Sequence, residues 1–141
     1  MSVKVNEPMT LIDKVEQFLQ WQKLSPIRHG EQLWVLAGVE KASEKTEVAH
    51  LFQEQPPGIL RVYSSISKTV PPSKQRSLAI LFSTASPLDP GSLAVTPGGY
   101  VRHVLSVPMT VKRATRSRLE KLYLDIMISL DPAMNLLSET E

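Results

Sequence analysis

The sequence predicts an α+β fold, in which an antiparallel sheet of about five strands carries helices on one face. Three segments place apolar residues at helical spacing, starting near residues 11, 72 and 110. The segments between them are rich in residues that favour strands, and they alternate as a half-buried sheet does. Proline–glycine turns at 56–58 and 97–99 lie between neighbouring strand candidates, which favours antiparallel pairing.

The predicted elements follow one another in the order α-β-β-β-α-β-β-α. A length of 141 residues suits a single domain over 1–141 with one hydrophobic core. Residues 1–9 and 131–141 are expected to be loosely ordered, because they lie outside the periodic segments at the chain ends.

The first helix is predicted in the segment MTLIDKVEQFLQWQKL. Thr10 is a suitable N-cap with Asp13 three residues later, close to a capping box. Ser25-Pro26 ends the helix, because proline disfavours helical geometry in the residue before it. The apolar stripe of this helix is Leu11, Ile12, Val15, Phe18 and Leu19.

Five strands are predicted from apolar alternation and from the turns that bound them. Pro56-Pro57-Gly58 joins the second strand to the third, and Pro97-Gly98-Gly99 joins the fourth to the fifth. The candidates are 32–40, 46–53, 59–67, 92–96 and 99–107.

The segment from residue 72 to residue 85 is ambiguous, since the run from Leu78 to Phe82 also suits a short buried strand. We favour a helix from about Pro72, because proline suits a first helical turn and the segment is long enough before Pro87. The inner face of this helix is then Leu78, Leu81, Phe82 and Ala85.

The last helix is predicted from Thr110, with Lys112 and Arg113 in its first turn and Arg116 in the next. Its apolar stripe is Val111, Thr115, Leu119, Leu122, Ile126 and Leu130.

The composition excludes several kinds of site. The chain has no cysteine, which rules out disulfides, thiolate zinc sites and cysteine nucleophiles. Its 42% hydrophobic and 21% charged residues are typical of a soluble globular protein. The first residues lack the apolar run of a signal peptide, and no segment approaches the ~20 apolar residues that span a bilayer. We therefore expect a soluble, cytoplasmic protein that makes no membrane contact.

The sequence carries no recognisable catalytic or metal-binding motif. Of the three histidines, His29, His50 and His103, the last two lie in strand candidates, which favours structural roles in the predicted sheet over metal binding. No Gly-x-Ser-x-Gly nucleophile turn occurs. The TPGGY segment at 96–100 lacks the glycine pattern of a phosphate loop and the Gly-Lys-Ser/Thr that follows it. We expect no enzyme activity, no catalytic residue, no metal and no cofactor.

One segment, SKTVPPSKQRSLAILFSTASPLDPGSLAVTPGGYVRHVLSVPMT, combines several elements in an order that is found in a known family. It combines a strand, a Val-Pro opening to a helix, small residues and a strand–turn–strand, in which Gly99, Val101, Ser106 and Pro108 approximate Gly-x-Val-x-x-x-x-Ser-x-Pro. With the predicted element order, this pattern resembles the YbjN family and the related type III secretion chaperones over about residues 10–130. The resemblance implies a non-enzymatic protein, often a homodimer, that binds partner polypeptides by covering apolar segments. The pI of about 9.0 departs from the acidity of secretion chaperones, and the resemblance supplies no site residue.

The strand at 32–40 is apolar on both faces. Trp34 and Leu36 lie opposite Val35, so that if one face is in the core the other is free to meet a second subunit or an extended partner segment.

The middle of the chain is basic, since residues 61–125 hold ten Lys or Arg against three Asp or Glu. Cations in the first turns of the last helix oppose its dipole, and a bound anion would relieve this repulsion. The simplest interpretation is a solvated face with i,i+4 pairs, Arg116–Glu120 and Lys121–Asp125. An acidic partner protein is the next interpretation. Nucleic acid is the last, because aromatic residues are not interleaved with the charges.

The sequence thus predicts a protein-binding module of chaperone or adaptor type that covers apolar or acidic segments of a partner protein. Its predicted partner-binding residues are Trp34, Leu36, Arg113 and Arg116. The alternative is nucleic-acid or anion binding at the basic start of the last helix. The residues of that alternative site are Arg102, Lys112, Arg113, Arg116 and Arg118.

Overall fold

The structure, a computed structural model, describes residues 9–41, 44–55, 58–83 and 91–138. Their fold is α+β, with one six-stranded antiparallel sheet and three α-helices. The helices are α1 (Leu11–Trp21), α2 (Pro72–Ser83) and α3 (Arg116–Ser138). The strands are β1 (Ile27–His29), β2 (Gln32–Lys41), β3 (Glu44–Gln55), β4 (Ile59–Thr69), β5 (Gly91–Val95) and β6 (Tyr100–Pro108).

The strands lie in the order β1-β2-β3-β4-β6-β5, and every neighbouring pair is antiparallel. The turn between β5 and β6 is confirmed: Gly99 has a φ of +88°, a conformation in which glycine is not strained, and its N–H donates to the Thr96 carbonyl. Pro56 and Pro57, predicted in the other turn, lie outside the described residues, whereas Gly58 has a φ of +91°. The five predicted strands are confirmed, with ends that differ by at most two residues.

The sheet has one strand more than predicted. β1 is only three residues long, and it carries Arg28 between Ile27 and His29. Three residues are too few to show an alternating pattern, and β1 directly follows Pro26, which the sequence indicated as the end of a helix. This strand is therefore stabilised by its pairing with β2 and by the ion pairs of Arg28. The strand propensity of its own three residues does not account for it.

One face of the sheet forms the core with the helices. Helices α1 and α3 pack on this face, and α2 packs against α3. Burying one large apolar side chain stabilises the fold by roughly 1.5–3 kcal/mol, so the continuous core fixes which face of each strand points inward. The inward residues include Leu33, Val35, Val48, Phe52, Leu60, Val62, Ile66, Val101 and Leu105.

Helix α1 has the predicted N-terminus and an unusual C-terminus. The Thr10 hydroxyl accepts from the Asp13 N–H, and the Asp13 carboxylate accepts from the Thr10 N–H, which completes a capping box. At the other end, the Leu24 N–H donates to the Leu19 carbonyl in a Schellman arrangement. The residue that takes the left-handed conformation there is Lys23, with a φ of +65°, where glycine would be unstrained.

Helix α3 starts later than predicted. Residues Val111–Arg113 form a single 3-10 turn, and α3 begins at Arg116 with the Thr115 hydroxyl accepting from the Arg118 N–H. Lys112 and Arg113 therefore precede the helix, and the prediction that they lie in its first turn was wrong. Thr115 provides the cap, which Thr110 does not.

Helix α3 also continues past the predicted boundary at residue 131. It runs through Pro132 to Ser138, and Ala133, Met134 and Leu137 are buried. Proline removes one helical hydrogen bond, but burial of this apolar stripe outweighs that loss. The expectation of loose order is therefore wrong for residues 131–138.

The ambiguous middle segment is a helix, α2, starting at Pro72 as favoured. Leu78 is buried and Leu81 is half-buried, whereas the Phe82 and Ala85 side chains lie outside the described part of the chain. No helix among the described residues is both long enough and apolar enough to cross a membrane.

Candidate protein-binding surface

The second face of the sheet is not covered by any of the three helices described. A row of side chains crosses this open face in register, and it runs from β1 through β2, β3 and β4 to β6. The row is Ile27, Trp34, Leu51, Tyr63 and Val104. It is apolar in a position where an antiparallel sheet that faces water usually carries polar residues.

Exposure is greatest at the β1–β2 end of the open face. Ile27 is 60% exposed, Trp34 44% and Leu36 57%, and Leu36 lies beside Ala49 in the next row. Here a groove of about 370 Å³ runs between the sheet and the segment that follows α1. Its lining is Lys23, Leu24, Ser25, Ile27, Trp34, Val35, Leu36 and Ala49.

The other end of the open face is basic. The Arg61 guanidinium donates to Ser106 Oγ at 2.9 Å and to Tyr63 Oη at 3.3 Å, which holds it flat on the sheet. Arg102 is exposed on β6 in the row next to Tyr63. The face therefore passes from exposed apolar side chains to two arginines, a combination that suits an apolar segment with acidic neighbours.

The basic start of α3 lies in the helical layer. Arg116 Nε donates to Glu120 at 3.1 Å, and the Arg116 guanidinium lies 4.9 Å from the Trp21 ring centroid. Its charge is thus compensated inside the protein. Lys14 Nζ donates to the Val111 carbonyl at 2.8 Å and fixes the preceding 3-10 turn to α1.

The structure brings some of the predicted site residues together and separates others. Trp34 and Leu36 share the open face, whereas Arg113 and Arg116 lie in the helical layer on the other side of the sheet, so the four do not form one surface. Arg102 likewise lies on the open face, apart from the other four residues of the predicted anion site. The prediction of a single basic cluster was wrong, because residues close in sequence order occupy different layers.

The core contains a polar row that the sequence did not indicate. His50, Ser64 and His103 are directly paired across β3, β4 and β6, and all three are buried. His50 Nδ1 lies 2.7 Å from Ser64 Oγ, and the Tyr123 ring packs at 5.4 Å from the imidazole. Burial, together with the nearby His103, lowers the pKa of His50 to about 4. His50 is therefore neutral at pH 7 and has a structural role.

Arg28 forms an ion-pair cluster that joins β1 to α1. Its guanidinium bonds the carboxylates of Asp13 and Glu16, and that of Glu31 lies 3.7 Å away. The hydrogen bond from Arg28, followed by that from the Thr10 backbone, lowers the pKa of Asp13. Sequence reasoning missed this cluster because it depends on β1, which no local pattern revealed.

In the described part of the chain, no group of three or more His, Asp or Glu side chains is placed to hold a metal ion. Comparison with known proteins found no protein-family model and no curated sequence that matches the chain.

Proposed function

We propose that the chain is a non-enzymatic protein-binding module of chaperone or adaptor type, and that it covers apolar segments of a partner protein with its open sheet face. The observation that carries this proposal is the uncovered row that includes Ile27, Trp34 and Tyr63. At a spacing of about 4.8 Å between strands, the row extends for roughly 20 Å across five strands, which matches a short extended segment.

The chemistry of the face indicates the class of segment it binds. Exposed tryptophan and leucine at one end favour apolar side chains, and Trp34 is of a residue type that often dominates binding energy. Arg61 and Arg102 at the other end favour carboxylates. The preferred ligand is therefore an extended segment with alternating apolar residues and an acidic end.

The resemblance to the YbjN family and to type III secretion chaperones supports the same class of function and adds a homodimer and a cytoplasmic location to the proposal. The chain departs from secretion chaperones in its basic pI, about 9.0. The basic character of the chain is consistent with the proposal, because Arg61 and Arg102 on the open face can bind an acidic segment.

A second candidate function is anion or nucleic-acid binding at the start of α3. Among the described residues, Lys112, Arg113 and Arg118 make no ion pair, which favours this candidate. Arg116 is already paired with Glu120, and Arg102 lies on the other side of the sheet. Only three cations then remain for phosphate contacts, and affinity for nucleic acid depends on the number of such contacts.

Selection from a displayed library of random peptides tests the proposed function without a known partner. We expect selected peptides to carry apolar residues at alternate positions and at least one Asp or Glu. The double variant Trp34→Ser with Leu36→Ser should bind these peptides at least about tenfold more weakly. Truncation of an aromatic anchor in an interface removes at least about 1.4 kcal/mol of binding free energy, which corresponds to a factor of ten in Kd.

The matched control is Leu124→Ser with Ile128→Ser. These two residues are 57% and 59% exposed on α3, so the control removes similar apolar area from the helical layer. It should leave peptide affinity unchanged. If both double variants bind the selected peptides as the wild type does, the open face is not the binding surface.

A further inference from the structure

A second row of side chains crosses the open face beside the row that contains Trp34. In this second row, the Leu36 row, each residue is paired in register with the next. Its members are Leu36 on β2, Ala49 on β3, Ser65 on β4 and Arg102 on β6. Leu36 is 57% exposed, and Arg102 is exposed as well. The Leu36 row is therefore apolar at one end and cationic at the other.

The middle of the Leu36 row is low. Ala49 and Ser65 are half-buried, and both side chains are shorter than Leu51 and Tyr63, which lie on the same strands in the neighbouring row. The groove at the β1–β2 end is lined by Leu36 and Ala49, so it opens into this row. The row thus offers a ligand chain a shallow path from an apolar groove to a cation.

Arg102 lies at the end of this path. It forms no ion pair within the part of the chain that the structure describes. Arg61 belongs to a different row, which begins with polar side chains: its neighbour Gln53 accepts from Gln32 at 3.0 Å. Of the two arginines, Arg102 is therefore the one placed to bind an acid on a ligand whose apolar residue lies at Leu36.

We propose that the Leu36 row selects a ligand segment in which a large apolar residue and an Asp or Glu are four positions apart. The apolar residue binds in the groove beside Leu36, and the carboxylate binds Arg102. Three steps between strands separate β2 from β6, which amounts to about 14 Å. Four residues of an extended chain also span about 14 Å. This inference rests on the proposed function and adds to it the residue that binds the acid and the spacing of the motif.

The alternation of an extended chain makes this spacing selective. When the apolar residue points toward the sheet, residues three or five positions away point to the other side. The residue two positions away lies over Ala49 and Ser65, where the short side chains leave room for it. A segment whose acid has an odd spacing thus reaches either the groove or Arg102, but not both.

Fluorescence anisotropy with labelled synthetic peptides of equal composition tests the spacing. Each peptide contains one Trp, with Val at even and Thr at odd positions from it, and one Glu placed three, four or five positions away in either chain direction. A spacing of four should give binding about fivefold tighter than a spacing of three or five, in one chain direction at least, because an exposed ion pair adds only modestly to affinity. Equal affinity at all three spacings would overturn the inference.

Charge exchange at Arg102 tests the residue. Arg102→Glu should abolish the preference for a spacing of four and should bind the matching peptide with Lys in place of Glu more tightly than the wild type does. The matched control is Arg76→Glu, which makes the same change of charge at an exposed position on α2 and should keep the preference. Loss of the preference in Arg61→Glu but not in Arg102→Glu would also overturn the inference.

These outcomes are distinguishable from failure of the proposed function. If Trp34→Ser with Leu36→Ser weakens binding of the peptides but their spacing has no effect, the open face binds apolar segments and only the motif is wrong. If that double variant binds every peptide as the wild type does, the proposed function fails and the motif fails with it.

Discussion

Acidification should destabilise the protein through the buried His50. The imidazole is held between Ser64, which lies 2.7 Å from Nδ1, and Tyr123, whose ring centroid is 5.4 Å away. Its pKa falls from 6.5 to about 4 because burial and the neighbouring His103 disfavour the charged form. Well above pH 6.5, His50 is neutral in both the folded and unfolded states, so its protonation does not change the free energy of unfolding.

The unfolded chain takes up a proton at His50 below pH 6.5, whereas the folded chain resists protonation down to about pH 4. Stability is therefore fully present above the unfolded pKa and is lost as the pH falls through this range. At about 1.4 kcal/mol for each tenfold change in proton affinity, the complete loss amounts to about 3 kcal/mol. About 2 kcal/mol should already be lost near pH 5.

Urea unfolding, followed by tryptophan fluorescence from about pH 7.5 to about pH 4.5, measures this loss. The double variant His50→Leu with Ser64→Ala removes the imidazole and its hydrogen-bond partner, and it should flatten much of the pH dependence. An NMR titration that gives His50 a pKa near 6.5 in the folded protein would refute the reasoning. So would equal pH dependence in the wild type and the double variant.

Three further substitutions test local features of the fold. Lys23→Gly should raise the free energy of unfolding by about 1 kcal/mol in chemical denaturation, because glycine takes the left-handed position after α1 without strain. A loss of stability would contradict this. Arg28→Met should lower the free energy of unfolding by roughly 1–3 kcal/mol and raise the pKa of Asp13 in a carboxyl NMR titration, because the half-buried carboxylate loses its main partner. An unchanged Asp13 pKa would exclude that contact. Thr115→Ala should cost about 1 kcal/mol in thermal unfolding, by removing the cap of α3, whereas Thr110→Ala, the matched control, should have little effect.

Local sequence patterns were sufficient for most of the fold. The apolar stripe and capping box of α1 are contained within a few consecutive residues, and so are the alternating residues of β2. Gly99 marked its turn because few other residues adopt the φ found there without strain. These features depend on neighbours in the chain, so the sequence carries them directly.

Features that depend on distant residues could not be predicted in this way. β1 exists because β2 pairs with it and Asp13 binds Arg28, and neither cause is visible within three residues. The last turns of α3 are helical despite Pro132 because Met134 enters a core built from other elements.

The candidate surface was predicted only in part, for the same reason. Trp34 and Leu36 could be assigned to one face, since alternation along β2 determines it. That Arg116 would lie behind the sheet, against Trp21, depends on how α3 packs. Arg61, which the sequence did not single out, joins the surface through the register of β4 with β6.

Chemical-shift mapping of the backbone amides, with the tightest selected peptide as ligand, tests partner binding by the open face most directly. The proposed function predicts shifts along the row from Ile27 to Tyr63 on the open face, including Trp34 and Leu36. Shifts confined to residues 111–118 at the start of α3, with none on the open face, would contradict it.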